Sequence, residues 1–189
     1  MNVRPLLICL IPSAFVVVLA QEKPPAAASP DNPLTANTRM MYGVISQRML
    51  LAAAEKMPEE HYSFKPTDAV RSYGQIIGHV ADLQYMHCSV VLGEKNPALK
   101  IEQTRTAKAD LIAALRQAVA YCDKAYGGMT DALAVEMIGV SGREMPKLGM
   151  LTVNLTHSSL HYGNLVTYMR LKNIVPPSSE PDFMKPPKK

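Results

Sequence analysis

Residues 147–173, KLGMLTVNLTHSSLHYGNLVTYMRLKN, follow Pro146 and contain no proline, which predicts a long final helix. One face of this helix has no large apolar side chain and is predicted to face solvent. That face consists of Thr152, Thr156, Ser159, Gly163, Thr167 and Arg170. The main apolar stripe consists of Leu148, Leu151, Leu155, Tyr162 and Met169. We therefore expect most of the circumference of this helix to be buried against other helices.

The same helix carries a set of polar side chains that the wheel places away from solvent. These are Asn154, His157, His161, Asn164 and Tyr168. Burying polar groups without partners is costly, so these side chains are expected to share a purpose. A metal ion with supporting hydrogen bonds around its ligands would supply one.

Two histidines of this set, His157 and His161, are four residues apart, which places their Cβ atoms about 6 Å apart on one helix face. That spacing suits two neighbouring ligands on one ion. His79 and His87 compete for a third position, because they are about 12 Å apart along a second predicted helix. Each histidine could instead be a hydrogen-bonded core residue. Three imidazoles would leave one coordination position open for water or substrate.

Prolines, which end helices, divide the region between residues 34 and 175 into long helical segments. Ser72 and Gln75 form a capping box at the start of the second helix, and Gly93 and Gly127 are stop signals. The four predicted helices span about residues 35–56, 72–93, 106–126 and 147–173. Evidence for a strand is limited to the alternation of Leu133, Val135 and Met137. The sequence thus predicts an all-α fold, a four-helix bundle at residues 34–175.

The flanking segments are predicted to lie outside the bundle. Arg4 precedes an apolar run at residues 6–20, which ends in Val-Leu-Ala and is shorter than the roughly 20 residues of a membrane span. We therefore predict a signal peptide at residues 1–20, with an uncleaved anchor as the alternative. The protein is then exported, periplasmic or secreted, with no stable membrane anchor after cleavage. Residues 21–33 are predicted to be a disordered Pro/Ala linker and residues 176–189 a Pro/Lys-rich tail of similar character.

The charge balance of the chain bears on its partners. The sequence has 20 basic and 16 acidic residues, and no basic stripe follows any predicted helix. This argues against nucleic-acid binding and favours a small molecule or a protein as the partner.

Three stretches of the sequence together resemble one known family. HYSFKP at residues 61–66, SYGQIIGHVAD at 72–82 and LTHSSLHYGNLVTYMR at 155–170 look like the DinB/YfiT-like superfamily of metal-binding four-helix bundles. The likeness covers the whole domain, from about Leu34 to Pro177. It implies an up-down-down-up helix order with a long crossover between helices 2 and 3, and relatives often form homodimers.

The resemblance also implies a ligand set. His79, His157 and His161 match the family's three ligands, which decides the competition against His87. Three histidines accept zinc, nickel, iron or manganese according to supply, and zinc or nickel is favoured here. Asp82, one turn after His79, is a candidate to orient a ligand imidazole or accept a proton, or is a solvated charge.

The activity that the resemblance implies is less specific than the ligand set. Some relatives are thiol-dependent transferases and others hydrolyse or isomerise, so thiol transfer and hydrolysis of a small molecule both remain open. The alternative is a non-catalytic metal- or ligand-binding helical bundle. No glutamate follows His157, so the zinc-protease motif is absent.

Cys88 and Cys122 each lie five residues before the glycine that ends their helix. An antiparallel pair of helices would place them at opposite ends of the bundle. The link at residues 93–105 spans about 40 Å when extended, enough to return along a helix of about 30 Å, and so permits parallel helices. The cysteines would then lie at the same height, where they either form a disulfide or remain buried free thiols.

Overall fold

The computed structural model of the chain describes residues 31–183 and residue 185. The predicted signal peptide and residues 21–30 of the predicted linker lie outside the described residues. Within them the fold is helical apart from one small hairpin, so the predicted all-α class is confirmed. None of the described helices combines the length and apolar composition that a membrane crossing requires.

Four long helical segments form the bundle. The first consists of α1 (Pro33–Gly43), a π-helical stretch (Val44–Leu51) and α2 (Ala52–Lys56). The other three are α3 (Tyr73–Leu92), α5 (Lys108–Gly127) and α7 (Lys147–Leu171). Short helices, α4 (Ile101–Thr104) and α6 (Asp131–Ala134), lie in the connections. The sequence placed the long helices correctly to within about two residues at their ends, as expected for local signals.

Contacts along the bundle establish the helix order. Near the start of α3 a Cβ on Gly74 would lie 3.2 Å from Leu111 of α5. Near the end of α3 the Cα atoms of Cys88 and Cys122 are 5.3 Å apart. Helices α3 and α5 are therefore parallel.

The two remaining helices run the other way. Tyr168, late in α7, donates a hydrogen bond to the carbonyl of Arg71, just before α3. Tyr73 at the start of α3 donates to the carbonyl of Ala53, at the end of the first helix. The order is therefore up-down-down-up, as predicted.

The start of α3 is fixed by local chemistry. The Ser72 hydroxyl accepts from the Gln75 amide, and the Gln75 side chain accepts from the Ser72 amide, so the predicted capping box is present. At the other end Gly93 adopts a left-handed conformation (φ 70°), which a glycine tolerates without strain. The third helix differs slightly from the prediction, since it begins at Lys108 and includes Gly127.

The crossover between α3 and α5 packs against α3. The Asp82 carboxylate accepts hydrogen bonds from the amides of Ile101 (2.9 Å) and Glu102 (3.0 Å), which caps α4. Gly78 makes the contact possible, because a Cβ there would lie 2.7 Å from the Cα of Glu102. These contacts bring α4 beside the residue that follows Gly78, which is His79.

The connection between α5 and α7 differs from the sequence reading. The predicted alternation began at Leu133, but Leu133 lies in α6, whose Thr130 cap accepts from the Leu133 amide. The strands start later, at β1 (Met137–Val140) and β2 (Arg143–Pro146), which form an antiparallel hairpin. A two-residue turn, Ser141-Gly142, joins them with positive φ at both residues, a turn signal that the sequence analysis missed.

The described part of the tail also differs from a free linker. Pro177 is buried, and Tyr162 of α7 donates a hydrogen bond to the Ser178 hydroxyl (2.8 Å). Glu180 forms an ion pair with Lys56 of the first helix, and the Phe183 ring lies under the Arg48 guanidinium at 5.0 Å. Residues 177–183 therefore pack across the first helix and α7.

Candidate metal centre

Three histidines meet between α3 and α7. His79 comes from the first half of α3, and His157 and His161 come from successive turns of α7. One ligand nitrogen from each lies within 4.8 Å of the others. The Nε2 atoms of His79 and His157 are 3.1 Å apart. Two nitrogens bound at about 2.0–2.1 Å in a tetrahedral zinc site would be about 3.3 Å apart, so this spacing fits a shared cation.

Glu102 fixes the orientation of the His79 ring. Its Oε2 lies 2.9 Å from Nδ1 of His79, and its Oε1 accepts from Nε of Arg71 at 2.7 Å. With the proton on Nδ1 held by the carboxylate, the lone pair of His79 is on Nε2, which faces His157. A carboxylate behind a histidine in this way is typical of metal ligands.

The electrostatics of the site keep two of the imidazoles neutral. Burial is the main cause that lowers the pKa of His157 to about 3, and repulsion from the imidazoles of His161 and His79 when they are protonated adds to it. Burial, with His79 and Arg71, lowers the pKa of His161 to about 4. A neutral imidazole retains the lone pair that a metal needs, so both side chains are in the ligating form at neutral pH.

His87 stands outside this cluster. Its ring centre is 5.6 Å from that of His157, and its Nδ1 lies 3.4 Å from the Asn154 amide nitrogen. Burial is the main cause that lowers the pKa of His87 to about 4. His87 therefore belongs to a polar network inside the core, and the structure brings His79 and not His87 to the α7 pair.

The buried polar side chain of Asn154 has its partners within this network. Asn154 is fully buried, but its amide reaches Gln84 (3.2 Å) and its oxygen accepts from Tyr126 (2.9 Å). Among the described residues, no buried side-chain nitrogen or oxygen lacks a hydrogen-bond partner. The protein thus satisfies Asn154 without a metal, and Asn154 contacts His87 rather than one of the three clustered histidines.

The other predicted supporting residues lie at different distances from the cluster. The Asn164 amide nitrogen is 3.4 Å from Nδ1 of His161, although Asn164 is exposed and not buried as expected. Tyr168 is buried, its ring packs near Phe64 and Tyr73, and its hydroxyl donates to the backbone carbonyl of Arg71 and not to a clustered histidine. Asp82 accepts hydrogen bonds from the first amides of α4 and not from an imidazole, so its effect on the cluster is indirect: it positions Glu102.

Glu102 itself was missed by the sequence analysis. It lies in the crossover, 23 residues from His79, and no periodic pattern marks it. The available signals were indirect: an acidic residue in the link, Asp82 one turn after His79, and Gly78 beside it. They become informative only when the crossover is known to fold back on α3.

Two open cavities lie beside the cluster. One, of about 660 Å³, is lined by His161, Glu102, Arg71 and Tyr168 among others. The second, of about 750 Å³, lies next to it and shares Arg71 and Glu102. Their size is in the range of small-molecule sites. A small ligand in the first cavity would therefore lie against His161.

The fold and the site together define a class, a four-helix bundle with three converging histidines able to hold a metal ion. The comparisons with known proteins agree with the fold of this class. The family model described as the DinB superfamily matches residues 44–165, and the chain belongs to that superfamily.

The relatives cover most of the bundle at low identity. The uncharacterized protein YjoA of Bacillus subtilis (strain 168) is 22% identical over 120 residues, or 62% of this chain and 77% of YjoA. The crystal structure of a DinB-like protein from Bacillus cereus ATCC 10987 superposes with a TM-score of 0.62 at 17% identity, covering 75% of this chain and 92% of that one. The crystal structure of YjoA gives a TM-score of 0.60 at 21% identity, covering 72% and 92%. These structures support the fold.

Proposed function

We propose that the protein binds one divalent metal ion through His79, His157 and His161 and is a metal-dependent enzyme acting on a small molecule, by thiol transfer or hydrolysis. The observation that carries the proposal is the convergence of the three ligand nitrogens within 4.8 Å, with Glu102 behind His79. A cation held there would supply Lewis acidity to a bound water or thiol. Zinc or nickel is the favoured ion, with iron or manganese as alternatives.

The chain's own residues bind and orient. Burial favours the protonated form of Glu102, but hydrogen bonds from Arg71 and His79 outweigh it and lower the pKa of this carboxyl. Glu102 thus stays ionised and committed to two donors, which suits a positioning role and not that of a general base. The alternative function, a non-catalytic metal- or ligand-binding bundle, uses the same ligands and is distinguished by an assay.

Export is part of the proposal. Cys88 and Cys122 are both fully buried and paired in a disulfide between α3 and α5. Stable disulfides are typical of oxidising compartments, which supports a periplasmic or secreted location. Sequencing the N-terminus of the protein recovered outside the cytoplasm tests this, and a chain that still begins at Met1 would argue against cleavage.

Metal content of purified variants tests the ligand set. We expect about one divalent ion per wild-type chain by elemental analysis, and loss of the ion in His157→Ala and in His161→Ala. The matched control is His87→Ala, a neighbouring buried histidine outside the cluster, which should keep its metal. Full metal content in the double variant of His157 and His161 would falsify the assignment.

Activity is tested separately. The metal-loaded and chelator-stripped proteins are compared for transfer of a low-molecular-weight thiol to an electrophilic acceptor, and for hydrolysis of small esters and amides. Metal-dependent turnover in either assay supports an enzyme and selects the reaction. If the fully metal-loaded protein shows no turnover in either assay, the result supports the alternative, a non-catalytic metal- or ligand-binding bundle.

A further inference from the structure

Arg71 is shared by the two cavities and is bonded to Glu102, the carboxylate behind His79. It precedes the cap residue of α3 and lines both cavities, with its side chain 45% exposed. Its Nε donates to Glu102, whereas Nη1 and Nη2 have no hydrogen-bond partner within residues 31–183 and 185. The guanidinium thus presents two unoccupied nitrogens to the cavities.

Both ends of Arg71 are held in place. Its carbonyl accepts from Tyr168 (2.8 Å), and the following residue, Ser72, is fixed by the capping box. Its guanidinium is held by a carboxylate that is itself bonded to His79. A side chain held in this way loses little further entropy when it binds a ligand.

The surroundings of Arg71 favour a negative ligand. Lys65 also lines both cavities, and its only ion-pair partner in the described part of the chain is the fully exposed Asp68. Arg105 lines the second cavity and forms no ion pair with any described residue. Two acidic residues line the cavities: Asp68, which is paired with Lys65, in the first, and Glu102, which is already engaged by two donors, in both. The side chains free to meet a ligand are therefore mainly cationic.

We propose that the small molecule on which the three-histidine site acts carries an oxyanion, a carboxylate or a phosphate, that is bound by the terminal nitrogens of Arg71 and by Lys65. Arginine binds such groups through two parallel hydrogen bonds, which fixes their direction as well as their position. The part of this inference that concerns the reaction rests on the proposed function. The anion site itself uses no histidine.

The geometry also limits the size of the ligand. One carboxylate separates Arg71 from His79, with contacts of 2.7 Å and 2.9 Å on its two oxygens. An oxyanion bound to Arg71 would therefore place the reacting atom of the ligand only a few bonds away. Short bifunctional acids or small phosphorylated compounds fit this spacing.

The test uses inorganic phosphate and acetate as probes, titrated into the purified protein by calorimetry, with and without zinc. We expect at least one probe to bind the metal-free wild type, and Arg71→Lys to weaken it at least about tenfold by removing the two-nitrogen contact while keeping the charge. Lys65→Ala should weaken binding by a smaller factor. The matched control is Arg116→Lys, because Arg116 also pairs with a glutamate, Glu55, at 2.7 Å but on another face of the bundle.

Each outcome has one meaning. Binding of one or both probes that is at least about tenfold weaker in Arg71→Lys and unchanged in Arg116→Lys supports the site, and the tighter probe indicates the favoured anion. No binding of either probe at tens of millimolar, or equal binding by Arg71→Lys, overturns the proposal. Zinc uptake measured on the same samples separates this result from the metal assignment, since the metal-free titration does not depend on the histidines.

Discussion

The two nitrogens of His79 have different partners, a carboxylate on Nδ1 and the facing imidazole of His157 on Nε2. Nitrogens 3.1 Å apart can share a proton, and in the proposed metal-bound form they would share the cation instead. Because Glu102 determines which nitrogen of His79 carries the proton, a residue that does not ligate metal influences the affinity for it.

Replacing Glu102 by glutamine tests this influence. We expect Glu102→Gln to weaken metal binding about 10- to 100-fold, because the amide binds the imidazole N–H less strongly than a carboxylate does. Competition with a chromogenic chelator measures the affinity. Glu136→Gln, which removes a glutamate paired with Lys147 away from the cluster, is the control. Equal affinities of the two variants would contradict the role of Glu102.

A second prediction at this scale concerns pH. The folded pKa of His87, about 4, lies below its value of about 6.5 in an unfolded chain, so the unfolded state takes up the proton first. The free energy of unfolding therefore falls as the pH is lowered from about 6.5 towards 4, and this contribution is fully present only above that window. We expect the loss between pH 7 and pH 5, measured by urea unfolding of the metal-free protein, to be about 1–2 kcal/mol smaller in His87→Gln. An unchanged loss would show that His87 is not responsible.

At the scale of elements, the crossover places Glu102 and so determines the environment of the site. It can lie against α3 only because residue 78 has no side chain, and Asp82 one turn later caps α4. The absence of a side chain at residue 78 therefore allows α4 to pack on α3, and this packing places Glu102 beside His79.

Gly78→Ala is expected to disturb both the packing of the crossover on α3 and the metal site at His79. The added methyl would lie 2.7 Å from the Glu102 Cα, so the crossover must move, at a cost of about 1–3 kcal/mol of stability and with weaker metal binding. Gly163→Ala in α7 is the control, because a Cβ there meets no atom within 4 Å and alanine favours a helix. Thermal unfolding and metal titration of both variants check the prediction, and a Gly78→Ala protein with wild-type values for both would refute it.

At the scale of the whole molecule, the parallel arrangement of α3 and α5 has two consequences. It requires the long crossover that carries Glu102, and it brings Cys88 and Cys122 to the same height near one end of the bundle. The two cysteines are 34 residues apart in sequence. In the chain-entropy model, a disulfide that closes a loop of this length stabilises the folded state by about 3–4 kcal/mol.

Reduction of this disulfide is expected to lower the stability of the bundle by about that amount without removing the metal site, whose ligands lie elsewhere on α3 and α7. Urea unfolding with and without reductant measures the change, and thiol titration of the denatured protein reports the redox state. Equal stability of the oxidised and reduced proteins would contradict a stabilising role for the pair.

Local sequence patterns were sufficient for the long helices and for the histidine pair on α7. Capping at Ser72, the stop at Gly93 and the apolar stripe of α7 depend on residues a few positions apart, so they can be recognised along the chain. The spacing of His157 and His161 is also a property of one helix. The choice of His79 over His87 required the family resemblance, since the residues alone left both open.

The tertiary structure alone decided which groups surround the histidines. Glu102 reaches His79 because the crossover lies on Gly78, and Arg71 faces both cavities because Glu102 and Tyr168 hold it there. The partners of Asn154 and the packing of Pro177 likewise come from separate elements. Such contacts join residues far apart in sequence and depend on the path of irregular connections, which no periodic pattern records.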